Sequence, residues 1–278
     1  MGMSHRLLRP RRNRYLLDVF PGADVAYSLR RLRLAYTGAA VRVRRSSDNA
    51  EEDFKPEQIA NGTLTSWTGA NNGFVTTWYD QSGNGRDATQ STSANQPTLV
   101  SSGVLKTESN MPAIDFDGAN DRLVFPGSTV SSITSLSQFC VVRCRDAANS
   151  MVISAAGQNA NGKACGLSFS SSEAPRTFIW GATPEPEGAA NTLSRVMTSC
   201  VISGTSISLF VNNGSAISGT ASLSLNIDNN TVTIGTSPNN AFSLLFTGIM
   251  QEVLFFFTDK SQTRQDISNN INSYYVVY

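Results

Sequence analysis

From Val41 onward the sequence breaks into short runs of alternating, β-branched and aromatic residues separated by turn-forming clusters, and that punctuation leaves few architectures open. The runs are VRVRR (41–45), FVTTWYD (74–80), AIDFD (113–117), RLVF (122–125), QFCVVRC (138–144), MVISAA (151–156) and TFIW (177–180). They continue with VMTSCVI (196–202), SISLFVN (206–212), TVTIG (231–235) and LLFTGIMQEVLFFF (244–257). Between them, FDGAND and VNNGSA carry Asp-Gly and Asn-Gly steps, which enter positive φ at little cost and close hairpins. Many short strands with regular punctuation predict an all-β fold, a two-sheet jelly-roll sandwich. Ser, Thr and Asn supply 83 of the 278 residues, as polar turns demand, while 40% hydrophobic content is enough for a core, so disorder and an all-α fold are both excluded.

The ends read differently. Residues 1–20, MGMSHRLLRPRRNRYLLDVF, interleave Arg with Leu and Tyr without a sustained period and predict an extended basic arm. In 21–36, Val25, Leu29, Leu32 and Tyr36 recur at helical spacing with Arg30, Arg31 and Arg33 opposite and Asp24 placed as N-cap, which predicts an amphipathic helix. Near the other end, Ile267, Ile271 and Tyr274 form one apolar face and predict a helix over 261–274. The expected organisation is an anchoring arm, 1–20, and one sandwich domain, 21–278, that includes both peripheral helices.

The net charge of +1 conceals an asymmetry. Residues 1–45 hold eleven Arg against Asp18 and Asp24, so the rest of the chain is acidic. Such a block neutralises phosphates or docks on an acidic protein surface. The apolar residues Leu7, Leu8, Tyr15, Leu16 and Leu17 among the arginines favour a protein partner over nucleic acid, and Arg6, Leu7, Leu8, Arg9, Arg11, Arg12, Arg14 and Tyr15 are the expected anchoring residues. The competing reading is a solvated tail. The most apolar window, 243–257, is interrupted by Gln251 and Glu252 and predicts no membrane span, and LLDVF is too short, and too acidic at Asp18, for the core of a signal peptide. His5 is the only histidine, and Cys140, Cys144, Cys165 and Cys200 lack metal-ligand spacing, so neither a zinc site nor a histidine-based triad is expected. Cys140 and Cys144, four residues apart on one strand, are separated by roughly 13 Å at ~3.3 Å per residue and read as small core residues.

Two segments, YTGAAVRVRRSSDNAEEDF (36–54) and GFVTTWYDQSGNGRDATQ (73–90), resemble the N-terminal part of the catalytic domain of the α-L-arabinofuranosidase family, which implies a concanavalin A-like sandwich. AIDFDGANDRLVF, VISGTSISLFVNNGSAISGT and the stretch from TVTIG to the C-terminal helix are similar to laminin-G-like domains, which implies the same sandwich. The combination of LLDVFPGADVAYSLRRL with VRVRRSSD and WYDQSGNGRDATQ resembles bacteriophage virion proteins. That resemblance implies a structural virion component, held by its arm to capsid or tail, with an outward sandwich that stabilises the particle or contacts host-surface glycan. The alternatives are an arabinofuranosidase-like glycoside hydrolase and a free carbohydrate-binding module. Other virion proteins, host glycan and further copies of the chain are the partners this implies.

A hydrolase needs two carboxylates facing a sugar. Asp48, Asp80, Asp87, Asp115, Asp117, Asp121 and Glu252 are candidates by type, yet none has a spacing that assigns it a role, so no catalytic residue and no cofactor is expected. YDQSGNG reads in two ways. It is a tight loop whose side chains bond nearby backbone, or a glycan-binding loop with Trp78 or Tyr79 as a stacking platform and Asp80 and Gln81 as hydrogen-bonding partners. DFDGAND is a hairpin turn, or a calcium site through Asp115, Asp117 and Asp121.

Overall fold

The computed structural model describes residues 15–278 apart from 126–132, 147–149, 157–163, 180–184, 191–193, 222–231 and 238–243. Strands dominate, every pairing between them is antiparallel, and they form two layers. In the first sheet Thr247–Phe256 is central. Val25–Ser28 and Ile114–Asp117 share one of its edges, and Ser135–Cys144, Val196–Ser203, Ser206–Val211 and Ile217–Thr220 follow in order on the other. The second sheet runs Glu51–Phe54, Val41–Arg45, Gly73–Trp78, Ala88–Thr89, Leu123–Phe125, Val232–Ile234, Ser150–Ala156, Ala164–Phe169 and Pro175–Ile179. Thr98–Ser101 pairs with Gly73–Trp78 and with Ile114–Asp117 and joins the two layers.

Alternation places the core. In Val41–Arg45 the residues Val41 and Val43 are buried while Arg42 is half-exposed, as a strand with one wet face requires. The inward set from both sheets makes one cluster, in which Tyr27 of the first sheet meets Trp78 and Phe125 of the second at ring-centroid distances of 5.6 and 6.2 Å. A second apolar cluster lies on the outer side of the first sheet. There Phe139, Val141, Met197, Leu254 and Phe256 are covered by two helices, α1 (Leu16–Val19) and α4 (Arg264–Tyr275), through Leu16, Leu17, Ile267, Ile271 and Tyr275. Burial on both faces explains why Thr247–Phe256 shows no polar–apolar alternation. Two short helices, α2 (Pro56–Ala60) and α3 (Thr63–Thr68), connect Glu51–Phe54 to Gly73–Trp78.

Two expectations change. Residues 21–36 form no helix: Val25–Ser28 is a strand, all four residues buried, paired with Glu252–Phe255. A strand buried on both faces has no alternation to betray it, and Val25, Leu29 and Leu32 then mimic helical spacing. Asp24 is no N-cap, because its Oδ2 accepts from the amide of Phe257 at 2.6 Å. Nor are the arginines a solvated face. Arg30 is buried, Arg31 pairs with Glu57 at 2.8 Å, and Arg33 donates to the carbonyl of Ser82 at 2.7 Å. The second correction concerns the arm. Leu16 and Leu17 are buried under α4 of their own domain, the amide of Leu17 donating to Leu32, so the sandwich takes up the chain before residue 20. The C-terminal helix spans Arg264–Tyr275 and buries Ile267 and Ile271 as their spacing predicts, but Tyr275 completes the buried face and Tyr274 is exposed.

One buried ion pair ties these layers together. Glu252 accepts from Arg30 Nε at 2.7 Å and Nη2 at 2.9 Å, and its Oε2 also accepts from Ser28 Oγ at 2.8 Å. The Arg30 guanidinium lies 4.8 Å from the Tyr274 ring centroid. A carboxylate so saturated is structural, and Glu252 is not available to a substrate.

Candidate functional site

The loop after Trp78 is built as a clamp. Trp78 is wholly buried against Tyr27 and offers no stacking face. Asp80 accepts from the amides of Ala26 (2.9 Å), Ser82 (2.9 Å) and Arg86 (3.1 Å) and from Ser82 Oγ (2.6 Å). Gln81 accepts from the amide of Leu32 and donates to the carbonyls of Ser28 and Arg30, each at 2.9 Å. Both side chains are buried: Gln81 spends its polar atoms holding the Val25–Leu32 segment, while Asp80 reaches that segment through the amide of Ala26 and otherwise closes its own loop. Of the four residues, Tyr79 alone reaches the surface; it is half-buried.

Around Tyr79 the fold assembles residues that lie far apart in the sequence. Its hydroxyl donates to Asp53 Oδ1 at 2.8 Å, and Arg42 Nε lies 3.0 Å from the same oxygen. Arg42 and Asp53 face each other across neighbouring strands, and both are nearly half-exposed. Tyr36, also half-buried, donates to the carbonyl of Ala39 at 2.6 Å, and a Cβ on Gly38 would come within 2.9 Å of its hydroxyl and press on the end of the ring. Burial, with the charges of Asp87 and Asp80 beside it, pushes the Tyr36 phenol up to about 12. Burial and the bond to Asp53 do the same for Tyr79, also about 12. Both phenols are neutral at any physiological pH. The result is two half-buried aromatic rings beside a planar guanidinium and a carboxylate, all on or next to strands.

The other carboxylates are placed as follows. Asp48 is exposed and pushed down to about 2 by its hydrogen bond from Arg45. Asp87 accepts from the amide of Asp80 at 2.9 Å, and desolvation raises it. Asp115 is held between Lys106 (3.0 Å) and Arg145. Asp117 accepts from the amides of Ala119 (2.8 Å) and Asn120 (3.2 Å), and Asp121 accepts from the amide of Asp117 (2.9 Å), so these two brace a tight turn, which is not the expected hairpin because Ile114–Asp117 and Leu123–Phe125 pair into different sheets. Burial pushes Asp121 up to about 7. Among the described residues no three His, Cys, Asp or Glu side chains stand where they could share a metal ion. Cys140, Cys144, Cys165 and Cys200 are buried free thiols. No helix among the described residues is long and apolar enough to cross a membrane.

Of the expected anchoring residues, Arg6, Leu7, Leu8, Arg9, Arg11, Arg12 and Arg14 lie outside the described residues, and Tyr15 is half-buried at the entry to α1. Sequence reasoning reached Tyr79 but missed Tyr36, Arg42 and Asp53. The alternation of VRVRR already placed Arg42 outward. Its partners depend on strand order, which the sequence does not display.

No family model matches the chain, and no curated protein does. Among solved structures it is similar to a mutant GH54 α-L-arabinofuranosidase soaked with 4-nitrophenyl α-L-arabinofuranoside, with TM-score 0.70 at 15% identity over 93% of this chain and 64% of that one. An arabinofuranosidase complexed with arabinofuranosyl-α-1,2-xylobiose gives 0.69 at 16% identity over the same shares. Trypanosoma rangeli sialidase in complex with sialic acid gives 0.50 at 14% over 71% of this chain and 31% of that one. The chain spans 64% of the length of the arabinofuranosidases it matches. At these identities the likeness establishes the sandwich fold, and it runs through nearly the whole chain.

Proposed function

We propose that this chain is a carbohydrate-binding β-sandwich that holds glycan on the outer face of its second sheet and does not cleave it. The observation that carries the reading is the grouping of half-buried Tyr36 and Tyr79 with the Arg42–Asp53 pair. Sugars present apolar C–H faces that stack on aromatic rings and hydroxyls that pair with planar polar groups, and this patch offers both on rigid strands. The arabinofuranosyl ligands of the similar structures add support for a sugar on this fold.

The accounting of carboxylates argues against hydrolysis. Twenty of the 21 acidic residues lie in the described structure, and only Asp228 lies outside it. Asp121 has the raised pKa of a general acid, yet it is 5% exposed and bonded into a turn, and the carboxylate beside it, Asp117, is spent on backbone amides. A glycan array with wild type and Tyr79→Ala, together with an assay of 4-nitrophenol release from 4-nitrophenyl α-L-arabinofuranoside, tests the reading. Binding that weakens at least tenfold in the variant, without release, is expected. Release that disappears on replacing one carboxylate overturns it.

A second reading is favoured by one feature: residues 1–14 contain Arg6, Arg9, Arg11, Arg12 and Arg14 and no acidic residue. Ahead of a domain that closes on itself from Leu16, such a segment suits attachment to an acidic surface of a larger assembly, a bacteriophage capsid or tail in the strongest form of this reading. A chain lacking residues 1–14 would stay folded and fail to join the particle; normal incorporation refutes it.

A further inference from the structure

Resting on the carbohydrate-binding reading, we infer that the ligand is a linear, uncharged oligosaccharide lying across the strands, along a row that starts at Tyr79 and Asp53 and runs through Arg42, Thr77 and Thr89 to Val124. The row follows from register. Asp53 pairs with Arg42, Arg42 with Thr77, Thr77 with Thr89, and Thr89 with Val124. Residues paired across antiparallel strands point to the same face, so these five side chains share the outer side of the second sheet. At the ~4.8 Å spacing of neighbouring strands they span about 19 Å, the length of several sugar units and far more than one.

Their chemistry changes along the row. The aromatic end holds Tyr36, Tyr79 and the ion pair. The middle offers the hydroxyls of Thr77, half-buried, and Thr89, exposed. The next residue in register, Thr233, is buried and donates to the carbonyl of Thr236 at 2.9 Å, which ends the open part of the row. Among the described residues of the row Arg42 is the one cation, and Arg122, two residues before Val124, donates from Nη1 to the carbonyl of Asn120 at 3.0 Å. Arg42 is neutralised by Asp53 at 3.0 Å and has Glu51 at 3.9 Å, while Asp87 adds a further carboxylate beside Tyr36. A carboxylated sugar therefore meets like charge with no free cation to compensate.

Calorimetric titration of the full chain with neutral xylo-, arabino- and cello-oligosaccharides of two to six units, and with oligogalacturonides of the same lengths as charged counterparts, tests this. The expected result is affinity that rises at least tenfold from disaccharide to hexasaccharide in a neutral series, with weaker binding of the oligogalacturonides. Thr89→Arg blocks the row at an exposed position and is expected to remove most of the gain in affinity between disaccharide and hexasaccharide. Thr77→Ala, which introduces no bulk, reduces hexasaccharide affinity several-fold. Affinity that is flat with length, or a preference for oligogalacturonides, overturns the inference while leaving a sugar-binding patch in place. Absence of binding to every glycan overturns the underlying reading as well.

Discussion

Asp121 makes the stability of this domain depend on pH in a direction opposite to that of an ion-paired carboxylate. Its side chain is 5% exposed in the turn that follows strand Ile114–Asp117, bonded to the amide of Asp117 and near the charges of Asp117 and Asp115. Burial raises it from an ordinary 3.8 to about 7. In the unfolded chain the proton leaves near 3.8, whereas the folded chain keeps it until about 7. The favourable contribution is therefore complete below 3.8, falls as pH rises between the two values, and is gone above 7. A shift of about three units at ~1.36 kcal/mol each amounts to roughly 4 kcal/mol. Urea unfolding of wild type and Asp121→Asn from pH 4 to 9 measures it. Asn cannot ionise and still accepts from the amide of Asp117. The variant should match wild type near pH 4 and exceed it by roughly 4 kcal/mol at pH 9. Other titrating groups cancel in the difference. Parallel pH profiles for the two proteins would refute the reasoning.

Three further substitutions probe the scaffold. Glu252→Gln leaves the buried Arg30 guanidinium without its counter-charge and should cost about 3–5 kcal/mol by chemical denaturation; a loss under ~1 kcal/mol would mean that the pair is not buried as described. Gln81→Ala frees the amide of Leu32 and the carbonyls of Ser28 and Arg30, and should lower stability by at least ~2 kcal/mol and speed amide exchange across 28–32, whereas unchanged exchange would deny the clamp. Gly118→Ala places a Cβ at φ +76° and within 1.9 Å of Thr247 Oγ1, so its thermal midpoint should drop by several degrees; an unaffected midpoint would show that the turn has another conformation available.

The strands with one wet face were legible where alternation survives in them: the start of VRVRR and SISL show their inward valines, isoleucine and leucine directly, although Arg44 is buried against the pattern. Val25–Ser28 was not, because burial on both faces erases the period and the flanking leucines supply a false one. The helices Pro56–Ala60 and Thr63–Thr68 are too short to display periodicity. The surface patch was half legible. Tyr79 follows the inward Trp78 and so had to point outward, but Asp80 and Gln81 looked like ligand groups until their backbone partners, some fifty residues away, were known. Arg42 meets Asp53 and Thr77 only through strand order, a long-range property that local pattern does not encode.

The claim that sugar is held on the outer face of the second sheet is tested most directly by mapping amide chemical shifts of the isotopically labelled chain during titration with a neutral hexasaccharide. The structure predicts that the perturbed amides cluster at Tyr36, Arg42, Asp53, Thr77, Tyr79 and Thr89, and that Tyr79→Ala abolishes the pattern. Shifts confined to another part of the surface, or a pattern unchanged in Tyr79→Ala, would contradict it.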